Sequence, residues 1–527
     1  MKRRDFIQNI IPAAVLPNIM GKYSVKTMED SPFIRALLGT NVETDHVLVL
    51  VRLDGGNDGL NMVIPVDQYS NYFNARTNIA IPQNKILSLN GTAATGLHPS
   101  MTGLQSLYNQ GKASIIQAVS YPTPNFSHFR ATDIWMSASE SDQIVNSGWM
   151  GRYLNNEYPN FPVGYPNTIM PDPLGIQIGS ITSFALQGPS VSMGMSITDP
   201  VNFYNLINGV QDPVPPTPAG KELSYVRLVA QQTNQYAVRI KAAAANIPAQ
   251  STYPTNNSLA DQLKIVARLV AGGLKTRVYM VSIGGFDNHS GQVNTADVTT
   301  GAHATLLQKI SDSVKAFMDD LKFLGAESRV IGMTFSEFGR RIKSNSSTGT
   351  DHGAAAPMIL FGSNITLGIS GTNPIIPASA TVNDNVPMQY DFRSIYASIL
   401  ENWFCVNSTD LQTIMLKNFQ SLPIVNGAAC KATGIDDINR EAGISLISNY
   451  PNPFVESTTI SFKTKGGHTL IQVIDTLGRV INTLVEKDYL PGDYKINFNS
   501  YGLPAGVYYA RLQNGQVSQV KAMLKVR

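Results

Sequence analysis

Five short runs of apolar, mostly β-branched residues recur in the first two thirds of this 527-residue chain. The first, Val47–Val51, is almost continuously hydrophobic, which is typical of a parallel strand that is buried on both faces. The other predicted strands are Ala113–Val119, Arg277–Ile283, Arg329–Phe335 and Met358–Phe361. Polar loops surround these runs, as expected of strands that cross the core of a domain.

Segments with helical periodicity separate the strands. One helix is indicated at Leu104–Leu107, a second over Leu259–Leu274, and a third over Leu306–Leu321, where apolar positions repeat with a period of about 3.6 residues. Strands that alternate with helices predict a doubly wound, mostly parallel α/β sheet with helices on both faces. Ligands bind such sheets at the carboxyl ends of the strands. The proline-rich stretch Asp212–Pro218 is expected to be an excursion from this pattern.

From about Gly443 the pattern changes to short β-branched and aromatic runs separated by Gly, Pro, Asn and Asp, which predicts a small all-β sandwich. We therefore predict an α/β domain over residues 45–423, a linker over 424–442 and a β-sandwich domain over 443–527. Cys405 and Cys430 are the only cysteines. The sequence leaves open whether they form a disulfide or are two buried thiols.

Composition excludes several classes of protein. Only 15% of the residues are charged and 43% are hydrophobic, which excludes a chain disordered through charge excess. No stretch reaches the roughly 18 apolar residues needed to cross a bilayer, so we expect no transmembrane segment. The net charge of +3 comes from two basic ends, and the residues between them carry −4. Because they show no basic stripe, we expect no binding of nucleic acid.

The N-terminus has the order of an export signal, in which basic residues precede a short apolar run that is interrupted by Pro12 and Pro17. The run Arg3-Arg4-Asp5-Phe6-Ile7 resembles a twin-arginine signal, and we assign residues 1–24 to it. This class of signal exports proteins that are already folded, often with metals installed. An ordinary basic cytosolic N-terminus remains the alternative.

Five ordered motifs lie in the C-terminal region: Asn449–Phe454, Thr458–Phe462, Val473–Val480, Leu490–Tyr494 and Leu503–Tyr509. Together they resemble the type A C-terminal sorting domain of the type IX secretion system. The resemblance implies a bacterium of the Bacteroidota type, the type IX secretion machinery as a partner, and passage through the periplasm to the cell surface or the medium. A carbohydrate-binding or immunoglobulin-like accessory module is the alternative.

Metal-competent side chains follow four of the predicted α/β strands and precede the fifth. They are Asp54, the pair Ser127-His128, the run Asp287-Asn288-His289, Glu337, and the pair Asp351-His352. Carboxylates and imidazoles that converge at one sheet edge suit Zn²⁺, Mn²⁺ or a harder ion. A serine at a helix N-terminus beside a metal can act as a nucleophile.

This order and spacing, over roughly residues 45–420, resembles the alkaline phosphatase/sulfatase superfamily, and more closely a bacterial family of unknown function grouped with it. The resemblance implies one or two divalent metal ions (Zn, Mn, Mg or Ca) and a nucleophile at Ser127. It implies metal ligands at Asp54, Asp287, His289, Glu337 and His352, and we add Asp351, the neighbour of His352, as a further candidate ligand. We further expect Arg340 to bind an anionic ester substrate through its guanidinium fork.

Two departures weaken the resemblance. Phe338 stands where a ligand histidine would follow the carboxylate, and Asp287 and His289 are spaced more closely than in alkaline phosphatases. One metal shell is therefore short of a ligand unless Asp58 or Asp351 supplies it. The remaining histidines of this region, His128 and His303 among them, are predicted to be structural.

These observations predict a secreted metal-dependent hydrolase of phosphate or sulfate esters that works through a covalent serine intermediate. The departures keep open a non-catalytic cell-surface protein with a degenerate site. A metal-free serine esterase is a third hypothesis, because Gly56-Asn57-Asp58 superficially resembles the SGNH hydrolases. That family carries a Gly-Asp-Ser nucleophile on its first strand, where this chain has Leu53-Asp54-Gly55.

Overall fold

The computed structural model describes residues 44–200, 218–426, 430, 445–475, 478–514 and 517–526. The chain divides into two compact units between Cys430 and Lys431. The predicted export signal, almost all of the excursion at 212–218 and most of the predicted linker lie outside the described residues. The domain boundaries drawn from the sequence therefore stay predictions.

The first unit is built on a nine-stranded mixed sheet. The strands described in this unit are β1 Val47–Asp54, β2 Val63–Pro65, β3 Leu87–Leu89, β4 Thr92–Leu97, β5 Ala113–Ser120, β6 Gly175–Ile178, β7 Gly194–Ile197, β8 Val278–Gly284, β9 Val330–Phe335, β10 Gly339–Arg340, β11 His352–Gly353, β12 Ala356–Gly362, β13 Gly368–Ser370 and β14 Tyr390–Asp391. The large sheet has the order β13-β5-β12-β9-β1-β8-β6-β7, with β14 also paired to β5. Strands β2, β4 and β3 form a small separate sheet, and β10 pairs with β11.

Most strand pairs of the large sheet are parallel, as predicted, and β12 is the exception among the described strands. It runs antiparallel to both of its neighbours, β5 and β9. Strands β5, β9, β1 and β8 consequently share one direction. Their carboxyl ends therefore lie at the same edge of the sheet as the first residue of β12.

The helices of this unit cover both faces of the sheet, which confirms the doubly wound α/β prediction. They are α1 Gly59–Met62, α2 Tyr69–Ala75, α3 Thr102–Asn109, α4 His128–Ser137, α5 Trp149–Glu157, α6 Pro218–Ala245, α7 Ser258–Ala271, α8 Ala302–Phe323, α9 Phe392–Asn402 and α10 Ser408–Met415. Four short 3₁₀ helices are described at Val66–Gln68, Gln83–Lys85, Phe184–Leu186 and Glu327–Arg329. Among the described residues, no helix combines the length and the apolar character needed to span a bilayer.

Alternation along β1 divides the core into two layers. Val49 and Val51 pack into a cluster with α7 and α8 on one face. Leu48 and Leu50 pack on the other face with α4, α5 and α9. Because successive strand residues point to opposite faces, a continuous apolar run is what a sheet covered on both sides requires. Elsewhere in this unit, Cys405 and Cys430 form a disulfide, which resolves the alternative that the sequence left open.

The second unit is all-β, as predicted. Its strands are β15 Ser445–Tyr450, β16 Ser457–Thr464, β17 Gly467–Ile474, β18 Val480–Tyr489, β19 Gly492–Asn499, β20 Gly506–Asn514 and β21 Val517–Lys525. They form two antiparallel sheets, β15-β16-β19 and β18-β17-β20-β21. One apolar cluster joins the sheets, with Phe462 and Phe498 from the first and Val473 and Leu512 from the second. This arrangement is a small sandwich.

Candidate functional site

The predicted site residues gather at one edge of the large sheet. Asp54 ends β1, Asp287 follows β8, and Glu337 follows β9. His128 begins helix α4, after the turn that leaves β5. His352 lies in β11, just before β12, and the antiparallel direction of β12 brings it to the same edge. Pairing of β10 with β11 also sets His352 directly opposite Arg340.

Asp287 is the carboxylate on which the site converges. Its Oδ1 accepts a hydrogen bond of 2.7 Å from Arg340 Nη2. The same oxygen lies 3.1 Å from His289 Nε2 and 3.2 Å from His352 Nε2, while Oδ2 lies 3.5 Å from His128 Nε2. Burial opposes ionisation of this carboxyl, but the hydrogen bond and the charge of Arg340 act in the opposite direction, and the pKa of Asp287 is lowered to about 2. Asp287 is therefore an anion at neutral pH.

Three imidazoles each hold their Nδ1 against an oxygen acceptor: His128 against Glu337 Oε1 at 2.8 Å, His289 against Asp351 Oδ1 at 3.1 Å, and His352 against the Phe126 carbonyl at 2.8 Å. Carbonyl and carboxylate oxygens accept hydrogen bonds but do not donate them, so each Nδ1 carries a proton. A neutral imidazole protonated at Nδ1 has its lone pair on Nε2. In the neutral rings, all three lone pairs therefore face Asp287.

These residues fit a divalent cation. Nε2 of His128 is buried and has no hydrogen-bond partner among the described residues. Ligand atoms of His128, Asp287 and His352 lie within 4.8 Å of one another. Lone pairs that face a carboxylate at such distances repel it unless a cation lies between them. Imidazole nitrogens with one carboxylate form a donor set that proteins use for zinc and other transition metals.

Glu337 supports an imidazole of the site and does not reach Asp287. It is almost fully buried, and its Oε1 accepts hydrogen bonds from His128 Nδ1 at 2.8 Å and from the Gly55 backbone N–H at 2.9 Å. This differs from the direct metal ligation that the resemblance implied. A carboxylate on the far nitrogen of a ligating histidine fixes its tautomer and raises its basicity. Asp351 has the same relation to His289, although it is exposed.

Arg340 also differs from its predicted role as an anion-binding fork. Its side chain is only 1% exposed. Its donors reach five acceptors of the protein itself: Gly56 O at 2.7 Å, Thr350 O at 2.6 Å, Gly55 O at 2.5 Å, Phe286 O at 3.1 Å and Asp287 Oδ1 at 2.7 Å. The guanidinium thus ties together the loops that follow β1, β8 and β9.

Asp54 and Asp58, both considered as ligands from the sequence, have arginine partners. The Asp54 carboxylate pairs with Arg52 and contacts none of the three imidazoles within the described residues. Burial raises the pKa of Asp54, and the positive charge of Arg52 lowers it by less. Asp58 is turned away from the site and pairs with Arg76 Nη1 at 2.6 Å. The charges of Glu337 and His128 also affect the pKa of Asp54, and its role as a metal ligand stays a prediction.

Ser127 is exposed at the N-cap position of α4. The resemblance implies that this serine is a nucleophile, although serine is also favoured at this position as a helix cap. In the described part of this helix its side chain makes no capping hydrogen bond. Its backbone N–H is held by Asn125 Oδ1 at 2.9 Å. The Ser127 hydroxyl therefore does not cap the helix. Ser127 immediately precedes His128.

Two glycines allow the loops to approach the site closely. Gly55 has φ +120°, and a Cβ atom there would lie 2.4 Å from the Asp287 backbone nitrogen. Gly56 has φ +76°, and its Cβ would lie 2.3 Å from the ring of Phe338. That ring packs on His128 and His352, at centroid distances of 4.9 and 4.5 Å. Phe338 therefore forms an apolar wall beside the imidazoles.

His128 is the residue that the sequence analysis misplaced. We predicted it to be structural, yet one of its ring nitrogens lies within 4.8 Å of ligand atoms of Asp287 and His352. A signal was present, because His128 follows the carboxyl end of β5 as Asp287 follows that of β8. His303, predicted to be structural, is buried, with Nε2 3.0 Å from Asn57 Oδ1.

Comparisons with solved structures found weak similarity. A protein in the alkaline phosphatase superfamily from Vibrio parahaemolyticus has a TM-score of 0.33 at 9% identity, over 92% of this chain and 82% of that one. The sulfatase PsFucS1 from Pseudoalteromonas sp. has a TM-score of 0.31 at 10% identity, over 89% and 85%. Alkaline phosphatase from the Antarctic bacterium TAB5 has a TM-score of 0.24 at 11% identity, over 62% and 95%.

The family comparisons matched two segments of the chain. Residues 222–402 match the model of a protein family of unknown function, DUF1501, and residues 448–526 match that of the secretion system C-terminal sorting domain. The search of curated proteins found no match. The C-terminal match confirms type IX secretion to the cell surface or the medium. The chain thus combines a segment similar to the DUF1501 family with a segment that matches the secretion system C-terminal sorting domain.

Proposed function

We propose that the protein is a secreted hydrolase of phosphate or sulfate esters that uses one divalent metal ion. The observation that carries the proposal is the convergence of three imidazole Nε2 atoms on the Asp287 carboxylate, each imidazole having its Nδ1 proton held by an oxygen. Such an arrangement serves no packing purpose, because it crowds lone pairs around an anion. It is the arrangement that a cation requires.

The residues that would hold the cation are His128, His289 and His352 through Nε2, with Asp287 through its carboxylate. Three nitrogens and one carboxylate favour zinc or manganese over calcium and magnesium, which prefer all-oxygen shells. We propose a single ion, because the three imidazoles converge on one carboxylate, that of Asp287.

A divalent cation in this setting supplies Lewis-acid polarisation of an ester oxygen and lowers the pKa of a coordinated hydroxyl. Ser127 is the proposed nucleophile because its exposed hydroxyl immediately precedes a ligand histidine and does not cap the helix. Its Oγ loses a proton to solvent and bonds to phosphorus or sulfur, while the ester bond to the alcohol breaks. The departing alkoxide takes a proton from water. A second water then hydrolyses the serine ester and regenerates the hydroxyl.

The experiment is a pair of measurements on the purified full chain. Metal content by elemental mass spectrometry is expected to be close to one equivalent, and aryl phosphate or aryl sulfate esters are expected to be hydrolysed. Ser127→Ala should abolish turnover and keep the metal, whereas Asp287→Ala should lose both. Turnover that is unchanged in both variants would refute the proposed chemistry.

Phe338 favours a second candidate function, a non-catalytic surface protein that keeps the metal centre for binding or for stability. Its ring packs on two of the imidazoles and reduces the space around them. On this hypothesis the metal is bound but no ester is hydrolysed. Turnover that depends on Ser127 would exclude it.

A further inference from the structure

The polar residues of the loop after β1 include one carboxylate that the proposed chemistry does not use. Asp58 is 3% exposed and faces inward. Arg76 Nη1 donates to both of its oxygens, at 2.8 and 2.6 Å. Burial opposes ionisation of Asp58, but Arg76 outweighs it and lowers the pKa of this carboxyl. A buried ion pair of this kind is costly to assemble unless further hydrogen bonds complete it.

The remaining donors of Arg76 bind backbone carbonyls in the segment that leads to the proposed metal site. Nε donates to the Ile342 carbonyl at 2.7 Å, and Nη2 donates to the Arg341 carbonyl at 2.7 Å. These two residues follow Arg340, which itself contacts Asp287. Arg76 therefore fixes the start of the loop that ends at His352.

Gln292 connects the same carboxylate to the other end of that loop. Its Nε2 donates to Asp58 Oδ2 at 2.6 Å, and its Oε1 accepts from Thr350 Oγ1 at 3.0 Å. Its backbone N–H donates to the Thr348 carbonyl at 2.9 Å. Thr350 is directly followed by Asp351 and His352. The loop is thus held at both ends by groups bound to one carboxylate.

We infer that Asp58 is a positioning residue of the metal centre, acting through Arg76 and Gln292 on the segments that carry His289 and His352. The inference rests on the proposed metal site. His289 lies three residues before Gln292, and His352 lies two residues after Thr350. Neither Asp58 nor Gln292 contacts an imidazole of the site in the described structure, so their effect on a bound ion is indirect.

The physical reason is the geometry that a metal imposes. Ligands must be held within about 0.5 Å of the productive arrangement, and loops reach that precision only when buried hydrogen bonds restrain them. Removing an outer-shell partner typically costs 10–100-fold in metal affinity. The Asp58 network restrains two ligand-bearing loops at once, so its loss should fall in that range.

The test uses variants that do not leave a buried charged group without its partner. Asp58→Asn would leave Arg76 without its counter-ion and could prevent folding, so the network is cut further along. Thr350→Val removes one hydroxyl at nearly constant volume, and Gln292→Met removes the amide. Thr276→Val is the matched control, because Thr276 is also fully buried and donates to the Pro173 carbonyl at 2.7 Å, at the opposite end of β8.

Each full-chain protein is stripped with a chelator and titrated with Co²⁺, whose affinity and visible absorption spectrum are recorded together. Thermal melts of the metal-free proteins show whether each variant is folded. We expect Thr350→Val and Gln292→Met to weaken Co²⁺ binding 10–100-fold and to alter the spectrum, while Thr276→Val leaves both unchanged.

Two results would overturn the inference, and they differ in what they say about the site. If the unaltered protein binds Co²⁺ and both network variants bind it equally well, the positioning role is refuted and the proposed metal centre stands. If the unaltered protein binds no Co²⁺, the metal centre is refuted and the positioning role with it. Equal weakening in Thr276→Val would reduce the effect to general destabilisation and would also refute the inference.

Discussion

His289 and His352 face each other through their Nε2 atoms, which lie 2.9 Å apart. Both Nδ1 atoms contact oxygen acceptors elsewhere, Asp351 and the Phe126 carbonyl, so the neutral forms of the two rings present two lone pairs to each other. Burial lowers the pKa of His352 and so favours the neutral ring. The hydrogen bond to the Phe126 carbonyl acts in the opposite direction but is the smaller effect. A shared cation removes the repulsion between the lone pairs.

Removal of an imidazole ligand or of the Asp287 carboxylate should therefore release the proposed ion. We expect His352→Ala and Asp287→Asn each to reduce the metal content of the purified protein from about one equivalent to the background level. His468→Ala, an exposed histidine of the second unit, should leave the metal content unchanged. Elemental mass spectrometry measures all three. Full metal content in His352→Ala would show that the imidazole pair does not bind it.

Glu337 should affect the metal less than a direct ligand does. Glu337→Gln keeps an oxygen for the His128 Nδ1–H but removes the charge that strengthens His128 as a donor. We expect metal affinity to fall roughly 10–100-fold while binding survives at higher metal concentration. Titration with Zn²⁺ against a competing chelator measures the affinity. A loss as complete as that of Asp287→Asn would instead make Glu337 a ligand, as first predicted from the sequence.

Gly55 should be intolerant of any side chain. A Cβ atom would meet the Asp287 backbone at 2.4 Å, and φ of +120° is strained for other residues. We expect Gly55→Ala to lower the unfolding free energy by about 1–3 kcal/mol and to weaken metal binding, because Asp287 must move. Gly284→Ala is the matched control, since its nearest neighbour is Asp54 Cβ at 3.8 Å. Urea unfolding and metal titration together check both effects.

His303 should make stability depend on pH. Burial lowers the pKa of His303 from 6.5 to about 4 in the folded protein. The negative charge of Asp58 raises this pKa but does not offset the effect of burial. Between these two values the unfolded chain binds more protons than the folded one, so the free energy of unfolding falls as the pH drops. The decrease attributable to this residue is about 3 kcal/mol from pH 7 to pH 4.

Urea unfolding of the chelator-treated protein at several pH values measures this dependence without a contribution from metal release. His303→Gln keeps a donor for Asn57 and does not titrate, so its stability should vary less with pH over the same range. Identical pH profiles for the two proteins would contradict the prediction. Carboxylates far from His303 affect both proteins equally, so the difference reports His303 together with Asp58, whose pKa the charge of His303 lowers.

The strands and the main helices could be predicted from the sequence because their signals are local. The apolar run of β1 and the 3.6-residue period of α8 each reflect which face of one element is buried, and neighbouring residues record it. The motifs of the second unit are local in the same sense. Asp287, His289 and His352 could be proposed as site residues for a similar reason, since they lie beside strands that are easy to recognise.

The tertiary structure decided what each of these side chains contacts. His352 joins the site only because β12 runs antiparallel to its neighbours, a property that the apolar pattern of a strand does not reveal. Arg340 was expected to face a substrate, yet its donors bind five acceptors drawn from three loops. Asp58 was considered as a ligand, but Arg76 lies beside it.

A sequence thus determines which groups stand at strand ends, whereas partner choice depends on distances between segments far apart along the chain. Glu337 and His128 are separated by 209 residues, and Asp58 and Gln292 by 234. Charge and hydrogen-bonding capacity belong to the residue, but whether a carboxylate binds a cation, an arginine or an imidazole depends on what packing brings within about 3 Å of it.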